Sequence, residues 1–152
     1  MIIEQLALWG DEVTQEHPAT FTTYLADPMP DHEDVRRPAA IICGGGSFTH
    51  VGVHEKEPVA LAFLQAGYQA FTLDYVTSST GDVSYPNPEA DLARMVATVR
   101  ANAADWRVDP ARVVVVGFSA GGFVCASLAT SWRGNTLPKL VGAPSESIRP
   151  DA

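Results

Sequence analysis

The sequence is poor in basic residues and has no long apolar run. Lys and Arg number 10 against 18 Asp and Glu, which gives a formal net charge of −8. A chain this acidic lacks the positive surface that binds nucleic acid or anionic lipid, so we expect neither partner. No apolar run approaches the roughly eighteen residues that cross a bilayer. The first ten residues carry Glu4 and no basic residue, unlike a secretory signal, and no membrane contact is expected.

Cysteine is scarce, and histidine is missing from most of the chain. The two cysteines, Cys43 and Cys125, form no CxxC pair and predict buried thiols in a reducing, cytoplasmic protein. No cluster of His, Cys and Asp has the spacing of metal ligands, so we expect neither a metal nor a cofactor. All four histidines lie among the first 54 residues, so residues 55–152 contain no histidine that could act as a base or a ligand.

Length and composition predict one domain over residues 1–152. Hydrophobic residues make up 46% and charged residues 18%, enough apolar side chains for a core and too few charges for a disordered chain. Apolar or β-rich runs predict strands at residues 20–26, 39–43, 69–75 and 113–116, and amphipathic runs predict helices at 57–67, 88–104 and 120–132. This alternation predicts an α/β fold with a mostly parallel central sheet and helices on both faces.

The first motif is GFSAG at residues 117–121, directly after four valines and at the start of a predicted helix. G-x-S-x-G in this setting forces the serine into a strained backbone and places its hydroxyl above the N-terminus of the helix. The N–H of Ala120 would then point to where an oxyanion forms. The alternative is a plain strand–helix turn that uses glycine and serine for packing and capping.

The second motif is CGGGS at residues 43–47, at the end of another apolar strand. Adjacent glycines leave backbone N–H groups open to a ligand. Because residue 49 is threonine and no Gly-Lys-Ser/Thr follows, neither nucleotide-binding motif fits. A generic flexible loop is the alternative. Combined with the serine turn, the glycines would supply the second half of an oxyanion hole.

Three stretches resemble the α/β-hydrolase esterases: CGGGSF at 43–48, EPVALAFLQAGYQAFTLDY at 57–75 and RANAADWRVDPARVVVVGFSAGG at 100–122. They are most similar to the branch with HGGG-type loops, the hormone-sensitive-lipase-like carboxylesterases and the bacterial xylan-esterase-like acetylesterases. The likeness covers about residues 20–132, and Cys43 stands where many relatives have His or Pro. The resemblance implies a serine hydrolase that acts on small carboxylic esters.

The resemblance also implies roles for particular residues. Ser119 matches the nucleophile, and Gly45, Gly46 and Ala120 match the backbone donors of the oxyanion hole.

Four other side chains near these motifs are candidates with ordinary alternatives. Phe48 and Tyr85 could line an acyl or alcohol pocket, or could pack as other aromatic residues do. His50 and His54 follow the glycine run and could lie near the mouth of the site. For both histidines we expect ordinary loop positions rather than a catalytic role.

The sequence lacks a complete catalytic triad. In this fold the triad follows the chain order Ser, Asp or Glu, His, but no histidine follows Ser119 and the later carboxylates are only Glu146 and Asp151. A serine hydroxyl needs an adjacent base to act as a nucleophile at neutral pH. We therefore expect the N-terminal portion of a larger hydrolase, without the strands that carry the acid and the base.

The valine run at 113–116 supports the same interpretation, because four consecutive valines suit a strand with a neighbour on each side. The tail at 137–152 resembles the approach to a further strand, and an exposed valine edge would invite a complementing chain or a second copy. Two functions are compatible with the sequence. One is a serine carboxylesterase of small, acetyl-type esters whose acid and base lie elsewhere. The other is a non-catalytic α/β module that keeps the turn as a binding pocket.

Overall fold

Five strands form one sheet in a computed structural model that describes residues 1–152. The strands are β1 (Ile2–Ala7), β2 (Thr20–Leu25), β3 (Arg37–Cys43), β4 (Gln69–Asp74) and β5 (Val108–Gly117). The helices are α1 (Glu57–Gln65), α2 (Asn87–Ala101), α3 (Ala120–Ser131), α4 (Thr136–Val141) and α5 (Ser145–Ile148), and a single 3-10 turn covers Val53–Glu55.

The strand order is β1-β2-β4-β3-β5. Strand β3 pairs in parallel with both β4 and β5, whereas β2 pairs antiparallel with β1 and β4. The predicted α/β fold is therefore confirmed. The three parallel strands end at the same edge of the sheet, called the carboxyl edge below, and both glycine-containing motifs lie there.

Helices cover both faces of the sheet, and the side chains of β3 point alternately to one face and the other. Ala39 and Ile41 face the large core beneath α2 and α3, while Ala40 and Ile42 face a smaller cluster beneath α1. All four side chains are fully buried, as expected for a parallel strand covered on both sides. No helix in the structure is long and apolar enough to cross a bilayer.

Strand β5 lies at the edge of the sheet, but its outer side is not entirely open. Asp151 donates its N–H to the carbonyl of Val113, and Ala152 accepts a hydrogen bond from the N–H of Val115, each at 2.8 Å. Arg100 donates to the carbonyl of Arg149 and to the carboxylate of Asp151, which holds this segment in place. The expected exposed valine edge is thus partly covered by the chain itself.

Asp91 in α2 joins two loops to the core. Its carboxylate accepts the indole N–H of Trp9 at 2.7 Å and the backbone N–H of Val76 at 2.8 Å. Burial raises the pKa of Asp91 to about 6, although the two N–H donors act in the opposite direction. The folded protein therefore binds a proton here at pH values where the unfolded chain has released it.

This shift predicts that the stability of the protein depends on pH. An unfolded Asp titrates near about 3.9, so the free energy of unfolding should fall between about pH 4 and pH 6, by at most about 3 kcal/mol from this group. We expect Asp91→Asn to remove that fall. Urea unfolding of both proteins across this pH range measures it, and exposed carboxylates of lowered pKa such as Asp82 cancel in the comparison. Identical pH dependence of the two proteins would contradict the assignment.

Candidate active site

Ser119 stands at a sharp corner between β5 and α3. Its backbone has φ 50° and ψ −117°, a strained conformation for a residue with a side chain, and its side chain is exposed. A Cβ on Gly117 would come within 2.4 Å of the carbonyl oxygen of Gly121, and one on Gly121 within 2.0 Å of the carbonyl oxygen of Cys43. The corner is therefore closed only because both flanking residues are glycine.

The structure brings the two motifs into contact. A Cβ built on Gly45 would lie 2.8 Å from the carbonyl oxygen of Phe118 and 2.9 Å from Cβ of Ser119. The N–H of Phe118 donates to the carbonyl of Cys43 at 3.1 Å. The turn formed by residues 44–46, called the glycine turn below, thus lies directly against the serine corner, as the sequence predicts.

Every carbonyl oxygen of the glycine turn accepts a hydrogen bond from another group of the chain. The Tyr75 hydroxyl donates to the Gly44 oxygen at 2.7 Å, and the Gly45 oxygen accepts the N–H of Gly52 at 2.7 Å. The Gly46 oxygen accepts both the N–H and the hydroxyl of Thr49. In a trans peptide the N–H points opposite to the C=O, so each of these bonds turns the next residue's N–H in the opposite direction.

The backbone N–H groups near Ser119 that have no hydrogen-bond acceptor within the chain include those of Gly46, Ser47 and Ala120. The N–H of Ala120 is unpaired because Ala120 is the first residue of α3, and a set of free N–H groups like this one can bind a negatively charged oxygen. The N–H of Gly45 differs, because it donates to Oε2 of Glu55 at 2.7 Å. The N–H of Gly45, which the sequence predicted as an oxyanion donor, is therefore already bound to Glu55. The N–H of Ser47, which the motif did not single out, has no acceptor in the chain.

Aromatic rings form a wall beside the glycine turn. Phe48 lies between Tyr75 and Phe123, with ring centroids 6.2 and 6.1 Å away. Phe123, one turn after Ser119 in α3, is 63% exposed. Tyr85 is exposed and outside this cluster. Of the two aromatic residues expected to line a pocket, only Phe48 belongs to the wall.

No histidine reaches the serine. The Oγ of Ser119 makes no hydrogen bond to any side chain. His50 is exposed, and its Nδ1 lies 3.1 Å from the Thr49 hydroxyl. His54 is also exposed, with Nε2 3.9 Å from Oε1 of Glu55. His50 is a loop residue and His54 belongs to the 3-10 turn, and the structure contains no group of three or more His, Cys, Asp or Glu arranged to hold a metal.

The thiols and the tyrosine beneath the site are structural. Cys43 and Cys125 are both buried; the hydrogen bond with Cys125 and burial raise the pKa of the Cys43 thiol. Burial also raises the pKa of Tyr75, whose hydroxyl donates to the Gly44 carbonyl.

The largest cavity lies elsewhere, beside Trp9, His17 and Asp91, with a volume of about 670 Å³. The Trp9 ring is covered by stacked His17 and by Arg94, and both Asp91 oxygens already accept hydrogen bonds. None of the residues lining this cavity belongs to the serine corner or to the glycine turn.

Comparison with known proteins finds a matching family model and several related hydrolases. The BD-FAE family model matches residues 28–147. The carboxylesterase Cest-2923 from Lactobacillus plantarum has a TM-score of 0.80 at 30% identity, covering 93% of this chain and 50% of that chain. The acetyl ester-xyloside bifunctional hydrolase from Caldicellulosiruptor lactoaceticus has a TM-score of 0.77 at 28% identity, covering 97% and 54%. Endo-1,4-beta-xylanase B from Butyrivibrio fibrisolvens is 37% identical over 99 residues, which are 64% of this chain and 16% of that protein.

The fold and its relatives define an α/β-hydrolase of the esterase type. Within that class, the chain belongs to the BD-FAE family. The resemblance expected from the sequence is therefore confirmed. The chain spans about half the length of these solved relatives, 50% and 54%, and a smaller part of the xylanase.

Proposed function

We propose that this chain carries the nucleophile and the oxyanion-binding part of a serine esterase for small, acetyl-type carboxylic esters. The observation that carries the proposal is the position of the exposed Ser119 side chain. The Ser119 backbone has φ 50°, and unpaired backbone N–H groups from two separate turns lie beside it. Membership of the BD-FAE family supports an ester substrate. The name of the acetyl ester-xyloside hydrolase among its structural relatives supports an acetyl group.

The proposed reaction has two stages. The Oγ of Ser119 attacks the ester carbonyl carbon, and the N–H groups of Gly46, Ser47 and Ala120 hold the oxygen that becomes negative. The positive end of the α3 dipole adds to this stabilisation. The hydroxyl proton passes to a base and then to the leaving alcohol. Water next attacks the acyl group, which releases the carboxylic acid and restores the Ser119 hydroxyl.

The base and its acidic partner are proposed to come from outside these 152 residues. Residues 151 and 152 form backbone hydrogen bonds to Val113 and Val115 and follow β5 in the same direction, toward the carboxyl edge. A polypeptide that continued along the remaining edge of β5, from the same or another chain, would end beside Ser119. We use "complete enzyme" for this chain together with the polypeptide that supplies the base.

Fluorophosphonate labelling followed by intact-mass measurement tests the nucleophile. The Oγ of Ser119 displaces fluoride from phosphorus and loses its proton to the base. We expect one adduct on the complete enzyme and none on Ser119→Ala. Residues 1–152 alone should react about a thousandfold more slowly, because no base takes the proton. An adduct retained in Ser119→Ala, or a folded complete enzyme that is never labelled, would instead favour a non-catalytic binding module.

The acyl preference is tested with p-nitrophenyl esters of increasing chain length. The complete enzyme should have its highest kcat/KM with the acetyl ester. A preference for long acyl chains would remove the acetyl-type assignment and leave the nucleophile assignment intact.

A further inference from the structure

Gly45 is held from both sides by one short segment, residues 52–55. Its carbonyl oxygen accepts the N–H of Gly52, and its N–H donates to Oε2 of Glu55, each at 2.7 Å. The Glu55 side chain is only 27% exposed, and it belongs to the 3-10 turn Val53–Glu55. A hydrogen bond from a backbone N–H to a carboxylate is roughly twice as strong as one between neutral groups, so this bond fixes the peptide plane between Gly44 and Gly45.

Gly45 is also the residue of the turn that touches the serine corner. The place where its Cβ would stand is 3.1 Å from Oε2 of Glu55 and 2.9 Å from Cβ of Ser119. The carboxylate and the serine therefore both lie against the same glycine. A displacement of Gly45 would move the following N–H groups relative to Ser119.

The turn after Gly45 is strained and needs such support. Gly46, Ser47 and Phe48 have φ values of 145°, 54° and 59°. Two of these three residues carry side chains, for which this region of φ is unfavourable. Strained conformations of this kind persist only where surrounding contacts hold them. The N–H groups of Gly46 and Ser47 have no acceptor of their own to keep them in place.

We propose that Glu55 is a positioning residue, whose carboxylate holds the glycine turn so that the N–H groups of Gly46 and Ser47 face the space above Ser119. This inference rests on the proposed function and deepens it. Glu55 acts through Gly45, whose N–H its carboxylate accepts. Without the carboxylate, the N–H of buried Gly45 loses its acceptor and the strained turn is free to relax.

The hydrogen bond is tested by nuclear magnetic resonance on ¹⁵N-labelled residues 1–152. Glu55→Ala removes the acceptor, Glu55→Gln keeps an acceptor oxygen, and Glu57→Gln changes an exposed neighbouring carboxylate as the matched control. In Glu55→Ala we expect the amide signals of Gly45, Gly46 and Ser47 to shift, and hydrogen exchange at Gly45 to accelerate at least about tenfold. Glu55→Gln should restore most of the protection. Unchanged exchange in Glu55→Ala would overturn the inference.

The positioning role is tested by ester hydrolysis in the complete enzyme. Misplaced N–H donors weaken binding of the developing oxyanion more than binding of the ester, so Glu55→Ala should lower kcat about tenfold to a hundredfold with little change in KM. Glu55→Gln should recover most of kcat, and Glu57→Gln should match the wild type. Faster exchange at Gly45 with an unchanged kcat would make Glu55 merely structural and overturn the inference while the proposed function stands. Absence of esterase activity in the wild type would instead overturn the proposed function, and the exchange experiment would still decide whether Glu55 holds the turn.

Discussion

Gly121→Ala should lower the free energy of unfolding by about 3 kcal/mol or more. A Cβ at this position would lie 2.0 Å from the carbonyl oxygen of Cys43 and 2.7 Å from that of Gly44. Both are backbone atoms, so no side-chain rotation can relieve the overlap. The start of α3 must move away from β3, and the Ser119 corner must open with it. Because a domain of this size has a total stability of only about 5–15 kcal/mol, the loss would be large.

Urea unfolding followed by circular dichroism measures this effect. Gly134→Ala is the matched control, because its Cβ would meet only the carbonyl oxygen of Ser131, at 3.2 Å, on an exposed segment. The control should change stability by less than about 1 kcal/mol. If Gly121→Ala were as stable as the control, the close packing of α3 against the end of β3 would be refuted.

The second large effect is expected on activity rather than on stability. Gly46→Ala should reduce kcat of the complete enzyme by about a hundredfold to a thousandfold, the effect of losing an oxyanion donor. Gly46 has φ 145°, and its Cβ would lie 2.1 Å from the carbonyl oxygen of His50. The turn must rearrange, and the N–H groups of Gly46 and Ser47 move with it. The exposed surface around residues 47–50 lets the rest of the fold persist.

Gly67→Ala separates backbone strain from damage to the site. Gly67 also has a positive φ, 92°, but nothing lies within 4 Å of its Cβ position. It precedes β4, at the opposite edge of the sheet from Ser119. Gly67→Ala should lose stability through the strain alone and keep its kcat. An unchanged kcat in folded Gly46→Ala would show that the turn takes no part in the reaction.

The main elements of the fold were predictable because their signals are local. Strand β3 is a short apolar run that ends in glycine, and α2 has apolar residues at helical spacing, so each pattern reports its own structure. Strand β1 was missed, because its side chains are almost all exposed and its sequence has no alternation. Helices α4 and α5, of six and four residues, are too short for periodicity to show.

The candidate site divides in the same way. The Ser119 corner follows from G-x-S-x-G between a strand and a helix, and its unusual φ is the structural result of that local pattern. The choice of backbone donors depends on partners distant in the chain. Tyr75, Gly52 and Glu55 bind the glycine turn from other elements, and no spacing rule indicates which N–H groups they leave free.

The sequence by itself determined an α/β chain with a serine at a strand–helix corner, a glycine run at a second strand end, and no histidine after that serine. Each of these features depends on residues that are close together in the sequence, where backbone sterics and side-chain periodicity act directly. Only the tertiary structure decided that the N–H of Gly45 is bound by the Glu55 carboxylate, that the N–H of Ser47 has no acceptor, and that Phe123 lies exposed beside the site. These outcomes depend on hydrogen bonds and packing between elements, because a backbone N–H becomes available only when the folded chain provides it with no acceptor.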